Sequence, residues 1–255
     1  MSINQAFFLA IVQGLTEFLP VSSSGHLVIF QKILGFEEPP FFFDILVHVG
    51  TLGAILVFFR DKIFAVFKDR KLLLLLFLGT LPVCFLALFL EKFISQIFSS
   101  LRLTGFSYLF TAVILFSTYF LNKQTKKIKD LSWLNALVIG FFQALAIFPG
   151  VSRSGMTISA GLWCDLTQSA AFDFSILLGA PAMLGALVLR ADELPSFAAC
   201  GFLSGVLGMI VSGLVGYFTL KLLKDFVEKG KLYLFGFYCC LIGLMVLWFE
   251  CVLKF

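Results

Sequence analysis

Charge is scarce in this chain. Asp, Glu, Lys and Arg make up 13% of its 255 residues, against roughly 25% in soluble domains, and histidine occurs only twice. So little charge cannot cover a water-facing surface, which excludes an ordinary soluble domain. No nucleic-acid partner is expected from a net charge of +4 carried mostly in loops. No Lys or Arg precedes Lys32, and Pro20 with its serine run interrupts the first apolar stretch. That is not the pattern of a secretory signal peptide, so the N-terminus is expected to belong to the fold. The six cysteines, Cys84, Cys164, Cys200, Cys239, Cys240 and Cys251, have neither zinc-site spacing nor the loop positions of a disulfide framework; they read as small hydrophobes in helices. What the chain has in abundance is apolar. Hydrophobic residues make up 60%, 34 residues are Phe, and the mean hydropathy is +1.03. This is the composition of an integral membrane protein, with the lipid bilayer as its first partner.

A bilayer-spanning helix needs about 20 apolar residues. Segments near 41–59, 72–90, 103–121, 170–189, 196–220 and 232–250 meet that requirement. Two others, 3–36 and 133–168, are apolar at both ends but broken near the middle. The first is broken by Pro20 and Ser22, Ser23 and Ser24, the second by Pro149-Gly150 and Ser152, Arg153 and Ser154. Irregular backbone at membrane depth survives only where protein or a wet cavity surrounds it, so each is expected to be a re-entrant hairpin of two half-helices. Basic residues concentrate in 60–71, 122–130 and 221–231, which places those loops in the cytoplasm. Lys32, Lys92, Arg102, Arg190 and Lys254 fall on the other side. Threaded this way, the first hairpin enters from outside, the second from the cytoplasm, and the C-terminus lies outside.

The two broken stretches are also copies of one another. "QGLTEFLPVSSSGHL" at 13–27 slides without a gap onto "QALAIFPGVSRSGMT" at 143–157 with seven of fifteen positions identical. Further on, "FDILV" at 43–47 meets "FSILL" at 174–178. An odd number of spans per copy turns the second upside down, and such repeats place their site where the copies meet, near mid-membrane. The expected fold class is therefore an all-α integral membrane protein, with six transmembrane helices plus two re-entrant helical hairpins arranged as an inverted-topology repeat. It forms one membrane domain over 1–255, with repeats of approximately 1–125 and 131–255.

The copies diverge where chemistry would be carried: Glu17 faces Ile147, His26 faces Met156, and Ser23 faces Arg153. Converging hairpin tips would combine a carboxylate, an imidazole, a guanidinium and a ring of hydroxyls, which is an anion-handling site. The arginine fork suits phosphate oxygens, and half-helices beginning near Ser22–Gly25 and Ser152–Gly155 would aim backbone N–H groups at the same anion. Gln13 and Glu17 are four apart on one helix face and can hold a cation through oxygen, as magnesium or calcium requires. Such a metal would offset phosphate charge. His26 can serve as a general base or as a nucleophile. Arg153 at membrane depth costs roughly 2.5–3.5 kcal/mol on insertion scales, which argues for a function. His48 is weighed as a core histidine with Asp44 as its hydrogen-bond partner. Asp165, Asp173 and the cluster of Arg190, Asp192 and Glu193 are expected at helix ends or in loops.

The segments "QGLTEFLPVSSSGH" and "PGVSRSGMT", with "FDILVHVGT" between them, resemble the signature motifs of the bacterial undecaprenyl-diphosphate phosphatases, also known as bacitracin-resistance proteins. The likeness covers essentially the whole chain. It implies a membrane enzyme that removes the terminal phosphate of undecaprenyl diphosphate, needs a divalent cation, and opens its site toward the outer, periplasmic face of the inner membrane. By the same resemblance, the acidic motif falls on Gln13 and Glu17, and the serine-histidine element on Ser22, Ser23 and His26. The phosphate-binding motif falls on Ser152, Arg153, Ser154 and Thr157. One position departs from the family: the first acidic residue, Glu in many members, is Gln13 here, leaving Glu17 the only carboxylate of the pair. The activity expected is phosphoanhydride hydrolysis at the junction of the hairpins, by Glu17, Ser23, His26 and Arg153. The alternative is a transporter or flippase of a lipid phosphate, since inverted repeats also build alternating-access carriers; the acid-plus-histidine pair is what distinguishes the enzyme.

Overall fold

The computed structural model describes residues 1–36, 41–121, 124–189 and 202–253. Among them every extended regular element is a helix, the sole exception being an isolated bridge between Lys126 and Leu166. In chain order the helices are α1 (Ile3–Thr16), α2 (Ser23–Ile33), α3 (Phe41–Phe58), α4 (Arg60–Val66), α5 (Arg70–Leu90), α6 (Ile94–Ser99), α7 (Leu101–Ser117), α8 (Trp133–Leu145), α9 (Arg153–Trp163), α10 (Gln168–Leu189), α11 (Phe202–Glu228) and α12 (Leu234–Leu253). Five of these, α5, α7 with its 3₁₀ extension, α10, α11 and α12, are long and apolar enough to cross a membrane, and α3 with α4 makes a sixth if that bent pair is one span.

Polarity is inverted relative to a soluble domain. Phe77, Phe85 and Phe89 of α5 and Phe237, Leu241 and Trp248 of α12 are exposed, while Gln13, Glu17, Ser22, His26, Thr111, Ser152 and Ser154 are buried. An apolar belt of this size around a polar interior is stable in lipid, which solvates the outside and leaves hydrogen bonding to be satisfied within. The chain is a multi-pass membrane protein.

Helix ends follow from sequence. Ser2 and Ser132 cap α1 and α8 in reciprocal capping boxes with Gln5 and Asn135, and Ser22 and Ser152 accept from the N–H of Gly25 and Gly155 to cap α2 and α9. Both broken stretches thus resolve into helix, irregular turn and helix, at 17–22 and 146–152. Close packing then brings the pieces together. α1 lies against α11, α8 against α5, α3 against α11, and α7 against α12. The helices approach across small residues, as they do in lipid: a Cβ on Gly140 would strike the backbone of Gly79, and one on Gly14 would come within 2.7 Å of Val215 Cβ.

Two expectations about loops are corrected. Residues 60–71 are not all loop, because α4 occupies Arg60–Val66, bent by 80° from α3. Its exposed Phe64 and Phe67 beside Arg60, Asp61 and Lys62 make a short amphipathic turn of the kind that lies along a membrane surface. α11 continues through the expected loop 221–231 as far as Glu228. Lys221 stays helical by laying its ammonium over the Tyr217 ring at 4.6 Å, and the pairs Lys224–Glu228 and Asp225–Lys229 support the last turns. Asp165 lies in the loop after α9 and accepts from the Thr125 N–H and hydroxyl. Asp173 sits in the second turn of α10 and pairs with Lys62. Lys123, Arg190, Asp192, Glu193, Cys200 and Lys254, with the start of the span placed at 196–220, lie outside the described residues.

Candidate active site

The two irregular turns meet. Ser22 is the junction: its φ of 64° is a left-handed conformation rare for a residue with a side chain, at a typical cost of about 1–3 kcal/mol. That conformation turns its hydroxyl toward the other break, where it accepts from the Gly150 N–H at 3.0 Å. Gly150 has a φ of 95° and packs against α7, where a Cβ would press on the Thr104 carbonyl. Thr111 of the same helix donates to the Gly150 carbonyl at 2.8 Å and accepts from the Ser152 N–H at 3.2 Å. Tyr108 of that helix donates to the Ser22 carbonyl at 3.3 Å, so one helix pins both turns.

Beside that junction lies an ion pair. Glu17, buried at the end of α1, accepts from Arg153 Nη2 at 2.7 Å on one oxygen. On the other it accepts from the Ser23 hydroxyl at 2.6 Å and from Gln13 Nε2 at 3.0 Å. His48 Nε2 lies 3.7 Å from the same oxygen. Arg153 opens α9, and its guanidinium rests in a notch of α10: a Cβ on Gly179 would land on it, and Met183 Sδ is 3.5 Å from Nη2. Nη1 is buried with no hydrogen-bond partner, and so is Gln13 Oε1. Leaving such groups unsatisfied typically costs about 1–3 kcal/mol each, which makes them natural contacts for a ligand: a donor for an anion, and an oxygen for a cation. Among the described residues no group of three or more His, Cys, Asp or Glu side chains forms a metal cage.

Gln13, Glu17, Ser23 and Arg153 thus come together. The other residues singled out in the sequence are engaged differently. Ser22 and Ser152 cap helices, and Ser154 pairs with Ser152 at 3.3 Å. Thr157 bonds back to the Arg153 carbonyl at 2.8 Å and meets the Ser175 hydroxyl at 2.5 Å. His26 is buried, with its ring nitrogens facing Ser22, Tyr108 and Tyr238 and making no hydrogen bond to Glu17, Ser23 or Arg153 among the described residues. For His48 the partner is Asp44, as expected, but through the backbone carbonyl. Its Nδ1 lies 2.6 Å from the Asp44 carbonyl oxygen, while the Asp44 carboxylate accepts from Gln31 at 2.7 Å, leaving Nε2 to face Glu17. Sequence reasoning also missed Gly179, Tyr108, Tyr238 and Thr111. For the tyrosines a faint signal existed, since Gly-Phe is followed within two residues by Tyr at 105–108 and again at 236–238.

Fold and site together define a polytopic helical membrane protein with a buried acid–arginine pair at the meeting of two broken helices. The family model described as Bacitracin resistance protein BacA matches residues 6–245, and the chain belongs to that family. It is 40% identical to a protein of Halothermothrix orenii over 97% of this chain and 98% of the other. It is 39% identical to one of Carboxydothermus hydrogenoformans over the whole of both, and 41% identical to one of Desulfosudis oleivorans over 96% and 97%. Each of these relatives carries the name undecaprenyl-diphosphatase.

Proposed function

We propose that this chain hydrolyses undecaprenyl diphosphate to undecaprenyl phosphate and inorganic phosphate in the bacterial inner membrane. The reaction returns the carrier lipid to peptidoglycan synthesis, and bacitracin resistance follows from it. The observation that carries the reading is the Glu17–Arg153 pair at 2.7 Å, drawn from the two breaks, with Ser23 held against the same carboxylate.

Arg153 binds the diphosphate. Its unpartnered Nη1 and the Nη2 now facing Glu17 form a two-pronged donor matched to phosphate oxygens. Ser23 attacks the terminal phosphorus while its proton passes to Glu17, a hydroxyl–carboxylate arrangement suited to an activated nucleophile. The bond from that phosphorus to the bridging oxygen breaks and undecaprenyl phosphate leaves. Water then attacks the phosphoserine phosphorus, freeing inorganic phosphate and restoring Ser23. Gln13 and Glu17 fit a divalent cation such as magnesium or calcium, because the orphaned Gln13 Oε1 adds an amide oxygen to the carboxylate, and such ions take their remaining ligands from water and substrate phosphate. When bound, the ion supplies charge neutralisation for the phosphates. Positioning and charge carry most of the catalysis, as in phosphoryl transfer generally.

The finer architecture belongs to the same proposal: two re-entrant hairpins and six spans in an inverted repeat of approximately 1–125 and 131–255. It is supported at the α7–α12 interface. An offset of 131 carries Gly105 to Gly236 and Ala112 to Gly243. Gly105 sits against Gly243, its Cβ position 3.3 Å from that carbonyl, and Gly236 sits against Ala112 at 3.2 Å. A two-fold relation between the copies requires pairs exchanged in this way. Basic residues gathered at the α4 end support a cytoplasmic location for that end, and the periplasmic opening of the site is carried by the likeness of the motifs alone.

Phosphate release from a polyprenyl diphosphate by purified protein, with and without chelator, tests the reading. Release should require the metal and fall about a thousandfold or more in Glu17→Ala and Arg153→Ala. No release from folded wild-type protein above the Arg153→Ala level would refute it.

A further inference from the structure

The imidazole of His26 sits in a closed set of hydrogen bonds. Nδ1 lies 2.8 Å from the Ser22 carbonyl oxygen and 2.8 Å from Tyr108 Oη, and Nε2 lies 2.7 Å from Tyr238 Oη. A carbonyl oxygen only accepts, so the ring proton is on Nδ1, and the Nε2 lone pair accepts from the Tyr238 hydroxyl. Tyr108 Oη also donates to the Ser22 carbonyl at 3.3 Å. The Tyr238 ring is stacked on the imidazole with 8° between planes, and the Tyr108 ring meets it edge-on at 80°, each with centroids 5.7 Å apart. Both nitrogens are taken up by Ser22, Tyr108 and Tyr238, and neither bonds to Glu17, Ser23 or Arg153, so the ring is turned away from the reacting groups.

What the set does hold is Ser22. Its carbonyl receives the His26 backbone N–H at 3.2 Å besides the imidazole and the Tyr108 hydroxyl. Three donors on one carbonyl fix the orientation of the peptide that follows Ser22. That peptide leads out of the left-handed turn, from which the Ser22 hydroxyl reaches Gly150 and the next hydroxyl, Ser23, reaches Glu17. A relaxed Ser22 would re-aim both.

We infer that Tyr108 and Tyr238 are positioning residues for the phosphatase reaction, which hold His26 as the Nδ1–H tautomer so that it anchors the Ser22 carbonyl and thereby aims Ser23 at Glu17. Its kinetic consequences rest on the phosphatase reading above, while the tautomer does not. The side-chain N–H of Asn falls near the place of Nδ1, and that of Gln nearer Nε2. His26→Asn should therefore retain activity within about tenfold of wild type, while His26→Gln and His26→Ala lose about a hundredfold or more. Tyr108→Phe and Tyr238→Phe should lower kcat by about tenfold and leave KM unchanged. Equal loss in all three His26 variants, with melting temperatures near that of wild type, would mean that the ring itself does chemistry and would overturn the inference.

Nitrogen NMR of histidine-labelled protein in detergent gives a readout independent of turnover. Only His26 and His48 contribute, and the His26 signals are those lost in His26→Asn. A neutral Nδ1–H tautomer whose Nε2 resonance moves in Tyr238→Phe is expected; an Nε2–H tautomer would sink the idea. Absence of phosphate release by wild type would overturn the phosphatase reading and the kinetic half of this inference together, and the NMR result separates that failure from a failure of the hydrogen-bond set itself.

Discussion

The α1–α2 and α8–α9 pairs share one spacing of helices and one pattern of caps. Their helices begin at residues 3 and 23 in one and 133 and 153 in the other, and the second members end at 33 and 163. Each is capped by serine at the same places. Within that shared spacing the side chains and the turn conformation have parted. Gln13 donates to Glu17, whereas Gln143 reaches toward the Gly79 carbonyl at 3.4 Å, with Ile147 where the acid would be. Ser22 is left-handed at φ 64°, while Ser152 has an ordinary φ of −81°. The backbone supplies an irregular turn shielded by protein, and the chemistry is divided between copies. Division has a physical motive. A buried carboxylate and a buried guanidinium are each costly alone, and each becomes tolerable only when the other copy delivers its partner.

The largest effect should come from making the copies alike again. Glu17→Ile writes the second copy's residue into the first, and Arg153→Ser writes the first copy's residue into the second. Each single change strands a buried charge, so each should lower stability by roughly 3–5 kcal/mol and reduce phosphate release to background. The double variant should regain much of that stability, because no charge is left unpaired, and none of the activity. Thermal unfolding beside turnover checks this; a double variant no more stable than either single one would mean that the pair is not what holds the two breaks together.

Next in size is the notch that seats the arginine. Gly179→Ala puts a methyl group where the guanidinium lies, so Arg153 must swing away from Glu17. Turnover should fall by about a hundredfold, as misplacement of a binding group by about an ångström does, while the helical content stays that of wild type. A smaller contrast sets Gln13 against Gln143. If Gln13 helps to hold the cation, Gln13→Ala should raise the magnesium or calcium needed for half-maximal rate by roughly tenfold. Gln143→Ala, equally buried but without a carboxylate neighbour, should leave that requirement unchanged. Titrating the metal against rate distinguishes them.

Much of this was legible in residue order, and the exceptions have a common cause. Apolar runs near 20 residues located the long helices, Pro20 and Pro149-Gly150 located the breaks, and the match of 13–27 to 143–157 joined them. Gln13, Glu17, Ser23 and Arg153 stood out because polar residues in lipid need a reason to be there. Gly179 and Thr111 carried no such signal: a glycine or a threonine in a span is unremarkable until one knows which side chain crosses it. Lys221 and Lys224 misled in the opposite sense, since a lysine reads as loop unless its stem lies along aromatic rings of the same helix, as Lys221 does, or an acid one turn on pairs with it, as Glu228 does with Lys224. Thr157 and Ser154 share a motif with Arg153, yet their hydroxyls point inward to Ser175 and Ser152. Motif membership fixes the neighbourhood of a side chain and leaves its rotamer to packing.

The smallest effects should separate the two capping serines. Ser152→Ala removes a cap from α9 and little else, because the Ser152 N–H remains satisfied by Thr111; about 0.5–2 kcal/mol of stability should be lost. Ser22→Ala removes the equivalent cap from α2 and also strips the Gly150 N–H of its acceptor in the other copy. A buried N–H left unpaired adds about 1–3 kcal/mol, so this variant should melt at the lower temperature of the two. If both serines prove equal, the Ser22–Gly150 contact does not join the breaks, and the burden of holding them together falls on α7 and on the ion pair alone.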